Sequence, residues 1–318
     1  MRFEAFTPPH LQLESCNLKP ETPPVRWNKV TLIGVGLLGG SLGLALKKRR
    51  LAGSVVGFVR RKASVAECEK ARAVDLATRD LQRAVESADL IILCTPIAQM
   101  RPLVEQMLPA LKPGAIVTDV GSVKASVVRD LESLVARAGA YFVGSHPMAG
   151  AEKTGVAAAR ADLFVSAVCV ITPTRISNPA AVRKVERLWT SVGSRLLKLT
   201  PAAHDELVSR SSHLPHVVAA ELVNLVLHPR NPKAQPALCA NGFRDTTRIA
   251  SGSPEMWRDI ALANRQNLSR ALAAFMRDLE AFRRALKRGD TDAITRFFEQ
   301  AKQRRDLWSR RAASHSPE

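Results

Sequence analysis

The sequence predicts an α/β protein in two parts: a doubly wound, mostly parallel sheet, then an all-helical C-terminal domain. Three observations carry this. A glycine pattern lies between a short strand and a helix near residue 34, strands and helices alternate up to about residue 199, and beyond it apolar residues recur only at helical spacing. A chain of 318 residues suits two domains, read as 30–199 for dinucleotide binding and 200–318 for a helical substrate and dimerisation domain. Residues 1–29 hold five prolines and no apolar leader segment, so they read as a disordered extension.

The first strand, 30–33, runs directly into Gly34-Val-Gly36-Leu37-Leu38-Gly39 and a helix. Gly34 permits the tight turn, Gly36 lets the backbone approach a pyrophosphate, and Gly39 lets helix and strand pack closely. Leu37 and Leu38 sit on the same turn, where the helix start offers free amides to an anion. A second strand, 54–59, follows at the expected distance, completing a Rossmann-type cofactor site. An acid at the end of that strand would hold the ribose 2′-OH of NAD. Here stand Val59, Arg60, Arg61 and Lys62, so NADP is favoured over NAD, with Arg60 and Arg61 meeting the 2′-phosphate. The alternative is that these are surface charges beside a permissive NAD site.

Further units follow in order: a strand at 89–94 ending in Thr95 and Pro96, a helix at 100–111, and a strand at 115–119 leading to Ser122 and Lys124. A strand at 141–143 precedes His146, which lies in Gly144-Ser-His146-Pro-Met-Ala-Gly. A strand at 166–171, a helix at 181–192 and a strand at 195–199 close this half. The Gly34 loop, Thr95, Ser122 and His146 each follow a strand, so they can converge on the crevice beyond the carboxyl ends.

The helical half begins with a segment, 205–227, interrupted by Pro215, where a kink is expected. His213 and His216 are three apart and share a face. Arg244 and Arg248, four apart, could clamp a carboxylate or bridge surface acids. Trp257 is either core or pocket wall. Long apolar stripes at 264–286 and 293–308 suit burial in a second copy, so a homodimer is expected through this half.

The net charge of +18 comes without aromatic interleaving or nucleic-acid motifs, which points to anionic small ligands, not nucleic acid. No run is long and apolar enough to span a membrane. The five cysteines show no metal-ligand spacing, so no metal is expected, and reduced thiols fit a cytoplasmic protein.

Together these motifs resemble the prephenate/arogenate (cyclohexadienyl) dehydrogenase family of tyrosine biosynthesis. The matching stretches are the Gly34–Gly39 loop, Cys94-Thr-Pro96, Asp119-Val-Gly-Ser122-Val-Lys124, the His146 motif, Ser212-His-Leu-Pro-His216, Phe243-Arg-Asp-Thr-Thr-Arg248 and Met256-Trp257-Arg-Asp, in family order. The resemblance implies oxidative decarboxylation with hydride transfer to NAD(P). By the same resemblance His146 accepts the substrate's hydroxyl proton, and Ser122 bonds that hydroxyl and helps orient His146. Arg248 binds the ring carboxylate, His216 contacts the side-chain end, Glu152 gates the pocket, and Arg244 and Trp257 line it. Thr95 and Pro96 fall on the cofactor side. No fused mutase or regulatory domain is expected. The competing readings are a dehydrogenase of β-hydroxy acids or imines, for which no catalytic lysine stands out, and a non-enzymatic nucleotide sensor.

Overall fold

The computed structural model describes residues 25–150 and 154–313. The expected disordered stretch up to residue 24, Cys16 and Glu152 lie outside the described residues. The chain divides into two compact units, one ending at Asn264 and one beginning at Arg265.

The first unit holds eight strands: β1 (Trp27–Ile33), β2 (Ala52–Phe58), β3 (Leu76–Thr78), β4 (Leu90–Leu93), β5 (Ile116–Asp119), β6 (Tyr141–Pro147), β7 (Val168–Thr172) and β8 (Arg195–Lys198). Their order across the sheet is β3-β2-β1-β4-β5-β6-β7-β8. Between them run α1 (Leu37–Lys48), α2 (Lys62–Lys70), α3 (Leu81–Val85), α4 (Ile97–Met107), α5 (Ala125–Ala136) and α6 (Pro179–Ser191). Then α7 (Pro201–Val208), α8 (Leu214–Val226), α9 (Asn241–Thr247) and α10 (Pro254–Ala263) complete the unit. All strand pairs are parallel except β6 with β7.

The central strand β4, Leu90–Leu93, is apolar and buried at every position because both faces are covered. Val30, Leu32, Leu90 and Ile92 point into one core, while Ile33, Ile91, Leu93 and Val117 point into the other. The expected α/β class and mostly parallel sheet are therefore present, with several local corrections. β1 starts at Trp27, not Val30, so residues 27–29 belong to the sheet and not to an extension. Trp27 is buried, pairs with Ala52 and donates its amide to Leu51 O at 2.9 Å, a burial that outweighs its position near the chain start. β3 and α3, three and five residues long, are too short to show a period in sequence.

β6 is longer than expected, and His146 lies on it and not after it. The strand pairs in parallel with β5 through 141–143 and antiparallel with β7 through 144–147. Pro215 does not kink a continuous helix. A π-helical turn, Ser209–His213, separates α7 from α8, and Pro215 becomes the second residue of α8, where no amide is required. The Ser209 and Ser211 hydroxyls take up the Glu206 and Leu207 carbonyls, at 2.6 and 3.1 Å.

The second unit consists of α11 (Arg265–Arg288) and α12 (Thr291–Ala313), matching the two apolar stripes. Gly289, at φ +64°, ends the first helix, and Asp290 accepts the Ala293 amide at 2.9 Å to start the second. Phe282 packs on Phe297 and Phe298 with ring centroids 4.6 and 5.8 Å apart. No helix among the described residues is long and apolar enough to cross a membrane.

One buried ion pair joins β5 to β6. Lys124 and Asp119 are both fully buried and bonded to each other, and the Lys124 ammonium also donates to Ser145 O at 2.9 Å. Asp119 accepts the amides of Gly121 and Ser145 at 2.8 and 3.1 Å. The Ser145 hydroxyl donates to Asp119 O at 2.6 Å and accepts from Trp189 Nε1 at 3.0 Å. Lys124→Ala should leave Asp119 charged and unpaired, lowering unfolding stability by about 3–5 kcal/mol in urea titrations. A loss below about 1 kcal/mol would show that the pair contributes little.

Candidate active site

The cofactor end is built by backbone. Gly34 has φ +96°, and a Cβ there would meet Cys94 O at 2.9 Å. A Cβ on Gly39 would meet Gly34 O at 2.1 Å, so loop and helix are in direct contact. At Gly36 a Cβ would meet nothing within 4 Å, which leaves the loop open on that side. No side chain caps α1 at Gly36, so the amides of Leu37, Leu38 and Gly39 have no helical acceptor. Thr95 Oγ1 is buried without a hydrogen-bond partner, and its methyl lies 3.0 Å from the Gly34 Cβ position. Pro96 is the N-cap of the next helix, α4. An open glycine face, free amides and an orphaned hydroxyl fit a dinucleotide.

Arg60, Arg61 and Lys62 follow β2 and are exposed. Arg61 is the N-cap of α2, whose first turn carries no acid and whose cap makes no side-chain bond. Arg61 lies 3.9 Å from Glu67, but both side chains are well exposed, so the pair is weak. An anion at this corner would meet cations and a helix start.

The reactive end is built by side chains. His146 is 8% exposed, and its Nδ1 lies 2.8 Å from His204 Nε2. His204 Nδ1 lies 2.8 Å from Asp205 Oδ1. Asp205 also accepts the amides of Lys124 and Ala125, at 2.7 and 2.9 Å, at the start of α5. Asn264 donates to Asp205 O at 2.8 Å and sits 3.2 Å from His213 Nδ1. His204, Asp205, His213 and Asn264 are all buried. The sequence marks His204 and Asp205 only as a polar pair near a helix start, and no spacing rule links them to His146, 58 residues away.

Burial holds His146 well below the usual histidine range, and His204, the Lys124 ammonium and His213 push the same way. His204 is also lowered, first by burial, with the Asp205 bond opposing. Burial is the main reason His213 falls to about 4. His216 is lowered by burial against the opposing effect of its bond to Ser212 O. Each shift favours the neutral imidazole at neutral pH.

Ser122 is half-buried in the loop between β5 and α5. The bond to His146 Nδ1 comes from His204, because β6 turns the His146 ring toward α7. His216 bonds Ser212 O at 2.9 Å and lies on Trp257 with ring centroids 3.7 Å apart. Trp257 also meets His213 edge-on at 6.2 Å, so the two histidines do share a face. Arg244 and Arg248 line an open cavity of about 610 Å³ with Val223, Leu227, Phe243 and Thr247, and His146 and His216 are not among its lining residues. No cluster that could hold a metal ion occurs among the described residues.

Two family models match the chain: "Prephenate dehydrogenase, nucleotide-binding domain" over 42–198 and "Prephenate dehydrogenase, dimerization domain" over 200–300. The chain is 35% identical over 280 residues to the prephenate dehydrogenase of Bacillus subtilis, covering 87% of this chain and 75% of the relative. It is 34% identical over 281 residues to the cyclohexadienyl dehydrogenase of Zymomonas mobilis, covering 87% and 94%. The crystal structure of A. aeolicus prephenate dehydrogenase with hydroxyphenyl propionate and NAD+ superposes with a TM-score of 0.83 at 30% identity, covering 88% of this chain and 98% of that one.

The lowered histidines also make stability depend on pH. Each is lowered from the usual 6.5, His213 to about 4. Between those values the unfolded chain binds more protons than the folded one, so stability rises with pH there. Full stability is expected above pH 6.5, with the urea midpoint falling as pH drops toward about 4. His213→Gln should make that fall shallower. A midpoint independent of pH over this window would show that the histidines bind protons in the fold as they do in the unfolded chain.

Proposed function

The chain belongs to the prephenate dehydrogenase family, and from that premise we propose that it catalyses NAD(P)-dependent oxidative decarboxylation of prephenate, arogenate or both. The products are 4-hydroxyphenylpyruvate or tyrosine, with CO2. The observation that carries this is His146: a buried, neutral imidazole at the carboxyl edge of the sheet, with one nitrogen held and the other without a partner among the described residues.

The substrate ring bears a hydroxyl on one carbon and, opposite it, a quaternary carbon with a carboxylate. A nicotinamide cofactor held by the Gly34–Gly39 loop, Thr95 and Pro96 would supply the hydride acceptor for the carbinol carbon. His146 Nε2 takes the hydroxyl proton as that C–O bond becomes a carbonyl. The bond from ring to carboxylate breaks, its electrons enter the ring, and CO2 departs. Those electrons pass through the ring to the carbonyl oxygen, so the ring becomes an aromatic phenolate as CO2 leaves, and return of the proton from His146 gives the phenol, which makes the step effectively irreversible. Ser122 is proposed to bond the reacting hydroxyl. Arg248 would hold the ring carboxylate bidentately, with Arg244 beside it, and His216 stacked on Trp257 would form the wall at the side-chain end. Glu152 is proposed as a gate. The Gly34–Gly39 loop, Thr95 and Pro96 would bind the cofactor.

NADP is proposed over NAD on the basis of Arg60, Arg61 and the uncapped start of α2. A homodimer through the helical half is supported by Met276, Leu279, Phe298 and Trp308, which α11 and α12 leave 45–65% exposed. Both ligands are anions, and a chain of net charge +18 draws them in. A cytoplasmic location is proposed on the requirement for NAD(P) and on four free thiols among the described residues.

The reaction is tested by crossing prephenate and arogenate with NAD and NADP while following reduced nicotinamide and CO2. His146→Asn should lower kcat by about 100-fold or more with little change in cofactor affinity. No turnover by the unaltered protein in any combination would refute the proposed reaction, and near-normal turnover by the variant would remove His146 from proton transfer. Changing Arg60 and Arg61 together to Ala should raise KM for NADP about tenfold or more while leaving NAD nearly unaffected. Equal effects on the two cofactors would exclude a 2′-phosphate site.

A further inference from the structure

We propose that His204 and Asp205 are positioning residues that fix the proton of His146 on Nδ1 and so deliver its Nε2 lone pair as the base. This rests on the reading of His146 as the proton acceptor, and it explains how a rotatable, two-nitrogen ring presents one defined face.

The assignment follows from counting donors along the chain of contacts. An ionised Asp205 can only accept. Its Oδ1 already receives the Lys124 amide and its Oδ2 the Ala125 amide, so the carboxylate is held by two fixed donors at the start of α5. His204 Nδ1, 2.8 Å from Oδ1, must therefore carry a proton. His204 is fully buried and neutral, so its Nε2 holds a lone pair. That nitrogen lies 2.8 Å from His146 Nδ1, and a hydrogen bond between two nitrogens needs one proton. The proton belongs to His146 Nδ1, which leaves Nε2 unprotonated in the neutral ring.

The opposite arrangement requires a donor where Asp205 has none, or a charged His204 in a place where burial disfavours charge. When Nε2 takes the hydroxyl proton, the new imidazolium donates more strongly to His204, which donates more strongly to Asp205. No proton needs to move along the chain, and the carboxylate balances the charge from two bonds away. Asn264 anchors the pair from behind through Asp205 O.

The side chains that replace His204 separate its two contacts. His204→Asn keeps a polar group near the Nδ1 position and loses the acceptor for His146. His204→Gln keeps an acceptor near the Nε2 position and loses the link to Asp205. His204→Phe removes both while filling the space. In protein labelled with 15N-histidine, with His146 assigned through His146→Asn, the resting enzyme should show a pyrrole-like Nδ1 and a pyridine-like Nε2. His204→Phe and His204→Asn should give a mixture of tautomers and a kcat lower by about 100-fold with KM for cofactor unchanged. His204→Gln should recover about tenfold of that loss. An unprotonated Nδ1 in the unaltered protein would overturn the assignment. So would a folded, cofactor-binding His204→Phe variant with kcat within about twofold of normal. The expected tautomer in a protein that turns over neither substrate would leave the assignment standing and refute the proposed reaction instead.

Discussion

Lys124 carries an ammonium into the interior, with no exposure to solvent, and such a charge is tolerated only where counter-charge and acceptors are already in place. Asp119 supplies the charge and Ser145 O the second acceptor. Because Asp119 ends β5 and Ser145 lies on β6, the demand of one cation fixes the two strands against each other just before His146. The backbone of the same lysine donates to Asp205. One residue therefore ties the strand that bears the histidine to the helix that bears its partner. A buried ion pair of this kind adds little net stability over an apolar substitute, but it tolerates few alternative geometries.

The change of pairing along β6 is the second constraint. A parallel strand would end at the sheet's carboxyl edge and hand its next residues to a loop. Here the antiparallel partner β7 extends the strand to Pro147, so His146 is held by ladder hydrogen bonds on the β7 side, opposite Val170. A residue on a strand has its ring direction set by the pleat, which loops do not guarantee. The ring then meets His204 edge-on at 5.1 Å.

What the sequence reveals follows the range of each interaction. The Gly34–Gly39 loop is legible because its requirements lie within six residues: a left-handed turn, an open backbone and a close helix contact. The two long helices are legible because many periods average out local noise. Trp27 is not, since what places it in the sheet is Ala52 across the ladder. Pro215 signals an interruption, but whether the helix kinks or inserts a π turn depends on the serines before it and on what their hydroxyls can reach. His204 and Asp205 are the clearest loss. A histidine next to an aspartate is unremarkable in sequence, and its meaning comes only from His146, brought to it by β6 and α7.

The electrostatic design has an internal tension that the proposed reaction resolves. A net positive charge gathers anionic ligands, while burial, His204, the Lys124 ammonium and His213 lower the proton affinity of His146. A base far below the usual histidine range is certain to be unprotonated at neutral pH but accepts a proton reluctantly. Two sources of negative charge offset this. Asp205 is part of the fold and would act through His204, stabilising the imidazolium once formed. The substrate's carboxylates arrive only with the substrate and raise the proton affinity of any imidazole near them. In the proposed reaction the resting protein would thus hold a neutral base, and binding of the anion to be decarboxylated would raise its basicity, coupling proton acceptance to occupancy of the site.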